Sequence, residues 1–337
     1  MPSIDESEKM VEQHIVDGNI GAAVKLLYEM IVQCARRKKF SKAEQLRDRI
    51  LEIDSMALNE IISSAEIIEE EKSQALDPIH MEIWSKLYAM LDTEEKNTLF
   101  FAMKDAAYGI NETIYSQGDL NTNLYFINNG KVNVIYRHQA GEILLNTLGS
   151  GQIVGQDNFF SNTVCTVSLV TSTNVSLKYL EKKELIEWKK EFPNLEQKVQ
   201  NFCTNFQNVT ELIKQKNMDR RTFKRVKISG MGVIQLLNRA GQPMAKSFKG
   251  DLSDISIGGL AFEIRISKED TARLLLGRRL NIEYTFTGSV PHVKINRNGI
   301  IVGVYPYPFE DYSIHVKFDK MLDKKILGTL LRFSPEK

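Results

Sequence analysis

This 337-residue chain has few cysteines, no long apolar runs and no large excess of either charge. Its three cysteines, Cys34, Cys165 and Cys203, lie far apart and include no CxxC pair. This excludes a disulfide scaffold and predicts reduced thiols in a cytoplasmic protein. No uncharged apolar stretch reaches the roughly 18 residues that a membrane helix needs. The acidic N-terminus also lacks the apolar segment of a signal peptide, so neither secretion nor membrane insertion is expected.

Signatures of catalysis and of metal binding are also missing. The chain has no GxSxG motif, no Walker loop and no HExxH motif, which argues against an enzyme. We expect no metal site, because no metal-ligand spacing links the five histidines, His14, His80, His138, His292 and His315. What is present, 42% hydrophobic and 26% charged residues, is typical of a folded globular protein. The length predicts two or three domains.

The net charge of +1 hides an uneven distribution along the chain. Residues 1–78 carry 10 basic and 16 acidic side chains (net −6), and residues 79–217 carry 13 and 15 (net −2). Residues 218–337 carry 21 and 12 (net +9). A basic C-terminal third favours a phosphate-bearing ligand or an acidic partner. The alternative is an excess of solvated side chains with no partner.

Residues 1–77 follow a helical pattern. Val24, Leu27 and Ile31 recur at helical spacing, and a capping-box pattern at Ser41 and Glu44 predicts that the next helix starts there. A few short helices bury little apolar surface alone. We therefore expect this segment to act in docking or dimerisation, against a neighbouring part of the chain or in a homodimer.

Residues 78–217 show a helical pattern around a β-rich middle. From Tyr108 the apolar period becomes two, and turns become frequent, as at residues 117–119, 128–130 and 149–151. This pattern predicts a small antiparallel barrel or jelly roll. The apolar period becomes helical again after Glu181, and we expect one long helix over residues 181–218 that leads into the last region.

Short motifs in this region resemble the cyclic nucleotide-binding domain of catabolite activator proteins and of protein kinase A regulatory subunits. They are Gln117-Gly118-Asp119, Leu124-Tyr125-Phe126-Ile127, Gly130-Lys131-Val132, Leu148-Gly149-Ser150-Gly151, and Gly155 followed by Phe159-Phe160. The resemblance covers roughly residues 79–215 and implies a β-roll with a phosphate cassette for a cyclic mononucleotide such as cAMP. The candidate contact residues that it implies are Val154, Gly155, Gln156, Asp157, Cys165, Thr166 and Val167.

The cassette departs from the family pattern at two positions. The family places a glutamate on the ribose hydroxyl and an arginine on the cyclic phosphate, whereas this chain has Gln156 and Cys165 there. Gln156 can still bond a hydroxyl, but a thiol cannot neutralise a phosphate. The sequence therefore leaves three alternatives for this domain: cAMP, a different small ligand, or no ligand.

The last region, residues 218–337, alternates apolar and polar residues in several segments, which predicts six strands in a barrel. An R-x-x-x-R motif at Arg221 and Arg225 precedes these strands. About thirty residues later stands the D-x-S-x-x-G motif Asp254-Ile255-Ser256-Ile257-Gly258-Gly259. In order and separation these motifs closely resemble those of PilZ domains, which are six-stranded barrels that bind the bacterial second messenger cyclic di-GMP.

The chemistry of the PilZ-like residues suits that ligand. An arginine fork pairs with a phosphate or with the O6/N7 edge of guanine, and Asp254 accepts hydrogen bonds from guanine N1–H and N2–H. The two glycines are expected to take unusual φ values and to let the backbone approach the ligand. The candidate cyclic di-GMP site comprises Arg220, Arg221, Arg225, Asp254, Ser256, Gly258 and Gly259.

The sequence therefore predicts a multidomain α+β protein. It comprises a helical docking or dimerisation segment (1–77), a cyclic nucleotide-binding β-roll with a long C-terminal helix (78–217) and a six-stranded PilZ barrel (218–337). The expected function is a non-enzymatic cyclic di-GMP receptor that signals to an unidentified protein partner, with modulation by cAMP left open. No cofactor and no nucleic acid are expected. The alternatives are an adaptor that binds only protein and a transcription regulator, which is disfavoured because strands follow the middle domain instead of a helix-turn-helix.

Overall fold

A computed structural model describes residues 4–138, 141–216, 223–244, 246–266, 269–286, 293–307, 311–323, 326 and 328. The contacts between residues divide the chain into two units. The first comprises residues 1–103 with 189–199, and the second comprises residues 104–188 with 200–337. No helix in these described ranges is long and apolar enough to cross a membrane.

The first unit is helical, as the spacing of its apolar residues predicted. Its helices are α1 (Ile4–Val16), α2 (Ile20–Arg36), α3 (Phe40–Ile53), α4 (Leu58–Gln74), α5 (Pro78–Ile83), α6 (Ser85–Tyr88) and α7 (Thr93–Ala102). Val24, Leu27 and Ile31 of α2 are buried in one apolar core with Leu46 and Ile50 of α3. Burial of this helix face is what holds α2 and α3 together.

The starts of α3 and α7 differ in whether a side chain caps them. α3 begins one residue before Ser41 and has no side-chain cap hydrogen bond, so the predicted capping box at Ser41 and Glu44 is wrong. Glu44 Oε1 instead accepts a hydrogen bond from Lys72 Nζ of α4 at 2.7 Å, because the ammonium is a stronger donor than a backbone amide. A complete capping box occurs at α7, between Asp92 and Glu95.

The first half of the second unit is a β-roll of two antiparallel sheets, as predicted. Its elements are β1 (Lys104–Tyr108), β2 (Thr113–Tyr115), β3 (Asn123–Asn129), β4 (Val132–His138), β5 (Gly141–Leu148), β6 (Ile153–Val154), α8 (Gln156–Phe159), β7 (Asn162–Thr163), β8 (Ser168–Thr171) and β9 (Val175–Glu181). One sheet has the order β1-β9-β3-β6, and the other has the order β2-β8-β4-β5. Leu124, Phe126 and Ile127 of β3 are fully buried, since this strand lies inside its sheet.

Three short helices follow the roll where the sequence predicted one long helix over residues 181–218. They are α9 (Glu184–Glu191), α10 (Leu195–Cys203) and α11 (Val209–Gln215). Pro193 separates the first two, because proline lacks the backbone donor and clashes with the preceding turn. Asn208 starts the third, since its side chain accepts a hydrogen bond from Glu211 N at 2.9 Å. The prediction of one continuous helix is therefore wrong for the part that the structure describes, which ends at residue 216.

The second half of this unit is the closed six-stranded barrel that the sequence predicted. Its elements are β10 (Val226–Lys227), β11 (Met231–Leu237), β12 (Phe248–Ser256), β13 (Gly259–Arg265), α12 (Glu269–Arg273), β14 (Arg279–Phe286), β15 (Val293–Tyr307) and β16 (Asp311–Phe318). The order β12-β11-β14-β15-β16-β13 closes because β13 pairs back with β12, while β10 pairs with the end of β12. Leu260, Phe262, Ile282 and Ile314 are among the side chains that fill the interior.

One strand pairing joins the roll to the barrel within the second unit. β7 lies antiparallel to β15, with Thr163 opposite Gly303. Val164 N, just after β7, donates to Val302 O at 3.1 Å. β7 directly follows α8, so this part of the roll is attached to a barrel strand by main-chain hydrogen bonds.

Candidate functional site

The R-x-x-x-R and D-x-S-x-x-G motifs meet at the end of β12. Arg220 and Arg221 lie outside the described residues, so the structure places only the second arginine of the motif. Arg225 Nη1 donates to both oxygens of the Asp254 carboxylate, at 3.2 Å to Oδ1 and 3.1 Å to Oδ2. The exposed fraction is 31% for the Arg225 side chain and 26% for that of Asp254, so the pair is accessible to a solute.

The pairing of β10 with β12 produces this contact. Val226 lies opposite Ile255 and Lys227 lies opposite Asp254, and Arg225 directly precedes β10. Val226 and Ile255 are both buried in the barrel core, so their burial fixes the register of the two segments. The arginine and the aspartate are 29 residues apart in sequence, and this register brings them together.

Phe223, which the sequence analysis did not single out, completes the contact between the two motifs. It lies inside R-x-x-x-R, and its ring covers Gly258: a Cβ on that glycine would lie 3.0 Å from Phe223 Cδ2. The ring therefore seats the segment before β10 on the D-x-S-x-x-G loop. The sequence did contain a signal for this residue, namely an aromatic side chain inside a basic motif. An aromatic ring is stabilised by packing on an apolar surface, so its position in the motif indicates a packing contact.

Ser256 and Gly259 shape the loop itself. Ser256 is buried, and its Oγ donates to Gly259 O at 3.2 Å. A Cβ on Gly259 would lie 2.1 Å from Val316 O on β16, so this position requires glycine. Neither Gly258 nor Gly259 has a positive φ, and the expectation of unusual φ values at these positions is wrong. The missing side chains instead permit close packing, against β16 at one glycine and against Phe223 at the other.

The Arg225–Asp254 pair is weak enough to be exchanged for a ligand. Ion pairs with this exposure contribute about 0.2–1 kcal/mol to stability. An anion can therefore take the guanidinium at small cost, and this exchange releases the carboxylate as an acceptor. Lys224 and Lys227 are exposed beside the pair and add positive charge to its surroundings. The arrangement suits a ligand that carries both an anionic group and N–H donors.

A separate cavity of about 240 Å³ lies in the β-roll, beside the segment 154–167 that we call the cassette. Its lining combines apolar side chains with five amides, Asn146, Gln152, Gln156, Asn205 and Gln207. Among the seven contact residues that the sequence predicted here, Val154 and Gln156 line the cavity. None of the described side chains that line it is charged.

Gly155 and Asp157 shape the cassette without lining the cavity. Gly155 has a φ of +97°, and a Cβ would lie 2.4 Å from a backbone carbonyl oxygen of β3, so this turn requires glycine. Asp157 Oδ2 accepts a hydrogen bond from Val209 N at 2.9 Å, and Gln156 Nε2 donates to Gln207 O at 3.3 Å. These two hydrogen bonds tie α8 to the start of α11.

Cys165, Thr166 and Val167 form the other end of the cassette and do not line the cavity. Cys165 is buried in the apolar core of the roll with Val167, and its Sγ donates to Asn121 O at 3.8 Å. Thr166 is half-buried. Burial raises the pKa of the Cys165 thiol to about 11, so the group is neutral at physiological pH.

Two family models match these two regions of the chain. A model of the cyclic nucleotide-binding domain matches residues 107–191. A model of the PilZ domain matches residues 219–334. No curated protein matches the chain.

The solved structures that resemble part of the chain include the following three. One is the N-terminal domain of a transcriptional regulator from Streptomyces coelicolor A3(2), with 23% identity over 39% of this chain and 88% of the other, at a TM-score of 0.32. Another is a cyclic nucleotide-binding domain from Methylobacillus flagellatus, with 23% identity over 41% of this chain and 76% of the other, at a TM-score of 0.34. The catabolite activator protein of Thermus thermophilus has 21% identity over 39% of this chain and 59% of its own length, at a TM-score of 0.32.

Proposed function

Because the chain joins a cyclic nucleotide-binding domain to a PilZ domain, we propose that it is a cytoplasmic, non-enzymatic bacterial receptor for cyclic di-GMP. Both matched domains are ligand-binding and regulatory types. The observation that supports this ligand is the contact of the two barrel motifs, Arg225 with Asp254 and Phe223 with Gly258. The proposed signal passes to a protein partner, with the helical unit as the docking or dimerisation element.

Cyclic di-GMP carries both kinds of group that the site can exchange for its internal ion pair. Its phosphates and the O6/N7 edge of guanine are acceptors for the Arg225 guanidinium, in bidentate geometry. The guanine N1–H and N2–H groups are donors for the Asp254 carboxylate. Arg220 and Arg221 join the proposed site on the strength of the motif alone.

Calorimetric titration of the full chain with cyclic di-GMP tests this proposal. Arg225→Ala and Asp254→Ala should each weaken binding at least about 10-fold, since hydrogen bonds to charged groups contribute about 1.5–3 kcal/mol. Lys224→Ala is the matched control: it removes a positive charge from the adjacent, exposed position and should change the affinity less than about 3-fold.

The fold of each variant is checked by its thermal transition, which the loss of one exposed ion pair should barely move. Equal affinity in wild type and Arg225→Ala would place the ligand elsewhere. A wild-type chain that gives no heat with cyclic di-GMP would refute the proposal and favour an adaptor that binds only protein.

Two contacts of the cassette give the route by which we propose that the roll and the barrel influence each other. Asp157 holds the start of α11, which ends about ten residues before Arg225, and β7 pairs with barrel strand β15. A shift of α8 is therefore expected to displace both the barrel strand β15 and the start of α11. Such coupling acts reciprocally on the two binding sites.

Asp157→Ala tests this route, because it removes the hydrogen bond between α8 and the start of α11. We expect the affinity for cyclic di-GMP to change at least about 3-fold, within the usual range of coupling free energies. Glu142→Ala removes an exposed carboxylate of the same roll and should leave the affinity unchanged. Unchanged affinity in Asp157→Ala as well would refute the route while leaving the cyclic di-GMP site intact.

A further inference from the structure

Four arginines line a cavity of about 560 Å³ beside the start of β14. Arg239 lies in the turn between β11 and β12, Arg273 lies on α12, and Arg278 and Arg279 lie where β14 begins. Among the described residues of the candidate cyclic di-GMP site, none lines this cavity. The barrel therefore carries a second concentration of positive charge that the proposed receptor function does not use.

Hydrogen bonds hold the backbone at two of these arginines. Asn238 N donates to Gln242 O at 2.8 Å, and Gln242 N donates to Asn238 Oδ1 at 2.9 Å, which closes the turn that carries Arg239. Arg278 O accepts a hydrogen bond from Ile301 N of β15 at 3.0 Å. Because both segments are ordered before a ligand arrives, binding there costs less conformational entropy than binding to a loose loop.

Three of the four guanidinium groups are available to an anion. Arg279 pairs with Asp319, but the two side chains are 44% and 34% exposed, so a ligand can replace the carboxylate at small cost. Arg278 donates through Nε to Leu274 O at 3.2 Å, and its two terminal nitrogens remain as donors. Neither Arg239 nor Arg278 forms an ion pair with a described residue, and both are exposed.

The number and type of these groups indicate which anion fits. A guanidinium fork pairs in bidentate geometry with the oxygens of a carboxylate or a phosphate. One carboxylate carries a single charge and occupies a single fork. A diphosphate group carries at least two charges and offers terminal oxygens on both phosphorus atoms, so it can engage several forks at once. A cavity lined by Arg239, Arg278 and Arg279 therefore suits a diphosphate better than a carboxylate.

The remaining wall of the cavity suits an organic group attached to that diphosphate. Leu237, Leu274 and Leu276 line it, and the volume of about 560 Å³ lies within the ~300–1,000 Å³ of small-molecule sites. Leu120 of the roll lines the same cavity and packs on Gly277, where a Cβ would lie 2.6 Å from Leu120 Cδ1. A ligand that fills this space contacts both the roll and the barrel.

We propose that this cavity binds a small organic diphosphate. Arg239 and Arg278 hold the diphosphate group, Arg279 exchanges Asp319 for it, and the leucines contact the organic group. The inference goes beyond the proposed function and does not depend on it, because it uses a different set of residues.

Calorimetry of the full chain with pyrophosphate, ADP and AMP tests the assignment. Pyrophosphate should bind with an affinity that falls as salt is added, and ADP should bind at least about 10-fold more tightly than AMP, which lacks the second phosphate. Arg239→Ala and Arg278→Ala should each weaken pyrophosphate at least about 10-fold. Arg265→Ala is the matched control, since it removes an exposed arginine of the same barrel that does not line the cavity; the affinity should change less than about 3-fold.

All three replaced arginines are exposed, so each variant should keep the wild-type thermal transition. The absence of pyrophosphate and ADP binding at millimolar concentration overturns the proposal, and so does equal affinity in wild type and both cavity variants. If poly-glutamate binds and neither diphosphate does, the cavity docks an acidic protein and the proposal is wrong. Arg225→Ala separates the two sites: it should leave pyrophosphate binding unchanged, and a loss confined to this variant would assign the diphosphate to the cyclic di-GMP site instead.

Discussion

Adjacent glycines of the D-x-S-x-x-G loop should respond very differently to the same one-carbon change. A Cβ on Gly259 would lie 2.1 Å from Val316 O, and ordinary contact begins at 3.4 Å. The obstacle is backbone of β16, which pairs with β13 from Gly259 through Arg265 and cannot rotate away. A Cβ on Gly258 would meet the Phe223 ring at 3.0 Å, and a ring can move.

For Gly259→Ala the two strands must separate by about 1 Å at the loop. Overpacking of this kind costs about 1–3 kcal/mol, and an immovable backbone places this case at the upper end, near 3 kcal/mol. For a domain of this size the loss corresponds to a fall of more than about 10 °C in the thermal midpoint. Gly258→Ala should lower the midpoint by less than about 3 °C, since the half-buried Phe223 ring can move away from the new Cβ and the cost should stay at about 0.5 kcal/mol.

Differential scanning calorimetry of the full chain measures both variants, and titration with cyclic di-GMP follows on the folded proteins. Gly258→Ala displaces Phe223, which seats the segment before β10 that carries Arg225. The affinity of this variant for cyclic di-GMP should therefore fall about 3- to 10-fold, although its stability is nearly unchanged. A neutral Gly259→Ala, or equal destabilisation by both variants, would refute the packing argument. A Gly258→Ala variant with wild-type affinity would refute the role assigned to Phe223.

Other predictions concern the roll and the cassette. Gly155→Ala should destabilise the cassette by about 1–3 kcal/mol, because the position combines a φ of +97° with a backbone oxygen 2.4 Å from the new Cβ; local hydrogen exchange at residues 153–160 measures it, and unchanged protection would contradict the cause. Because burial raises the pKa of Cys165 to about 11, the folded thiol stays protonated where the unfolded thiol ionises. The free energy of unfolding should therefore fall as pH rises from about 9 to 11, and Cys165→Ala should reduce that slope in urea titrations. A slope identical in both proteins would refute the assignment. Glu95→Gln should lower the thermal midpoint of the helical unit by a few degrees, since it removes the negative charge that accepts from Lys198 while glutamine can still cap α7; no change would show that the ion pair does not stabilise the unit.

The sequence indicated candidate residues for the barrel site, but not how they pair. Residue types and their order indicate the R-x-x-x-R and D-x-S-x-x-G motifs. The ion pair between Arg225 and Asp254 depends on the register of β10 with β12, and that register is fixed by the burial of Val226 and Ile255. Long-range register is a property of the closed barrel. The role of Phe223 is hidden for the same reason, since Gly258 lies 35 positions further along the chain.

Local signals succeeded or failed according to what competed with them. The apolar period of α2 predicted its buried face, because no tertiary contact overrides it. The capping box at Ser41 failed because Glu44 is engaged by Lys72 of another helix. The prediction of one long helix after the roll was wrong, although Pro193 in the sequence indicated a break. Pro193 interrupts the helix although the apolar pattern around it is continuous.

The structure shows where some of the basic residues of the last region come together, which the sequence could not indicate. Part of the +9 of the last region gathers around one cavity of about 560 Å³, which Arg239, Arg273, Arg278 and Arg279 line together. These residues come from the β11–β12 turn, from α12 and from the start of β14, so the cluster exists only in the folded barrel. Arg279 pairs with Asp319, which neutralises one of the four charges.

The central claim is that cyclic di-GMP takes Arg225 from Asp254, and the side-chain NMR signal of Arg225 tests it most directly. Titration of the full chain with cyclic di-GMP, observed at arginine Nε–H and assigned with Arg225→Lys, reports the guanidinium itself. We predict that the Arg225 signal shifts with the same saturation curve as the calorimetric heat. Heat of binding with an unmoved Arg225 signal would contradict the account, because the ligand would then bind without the residue on which the site is built.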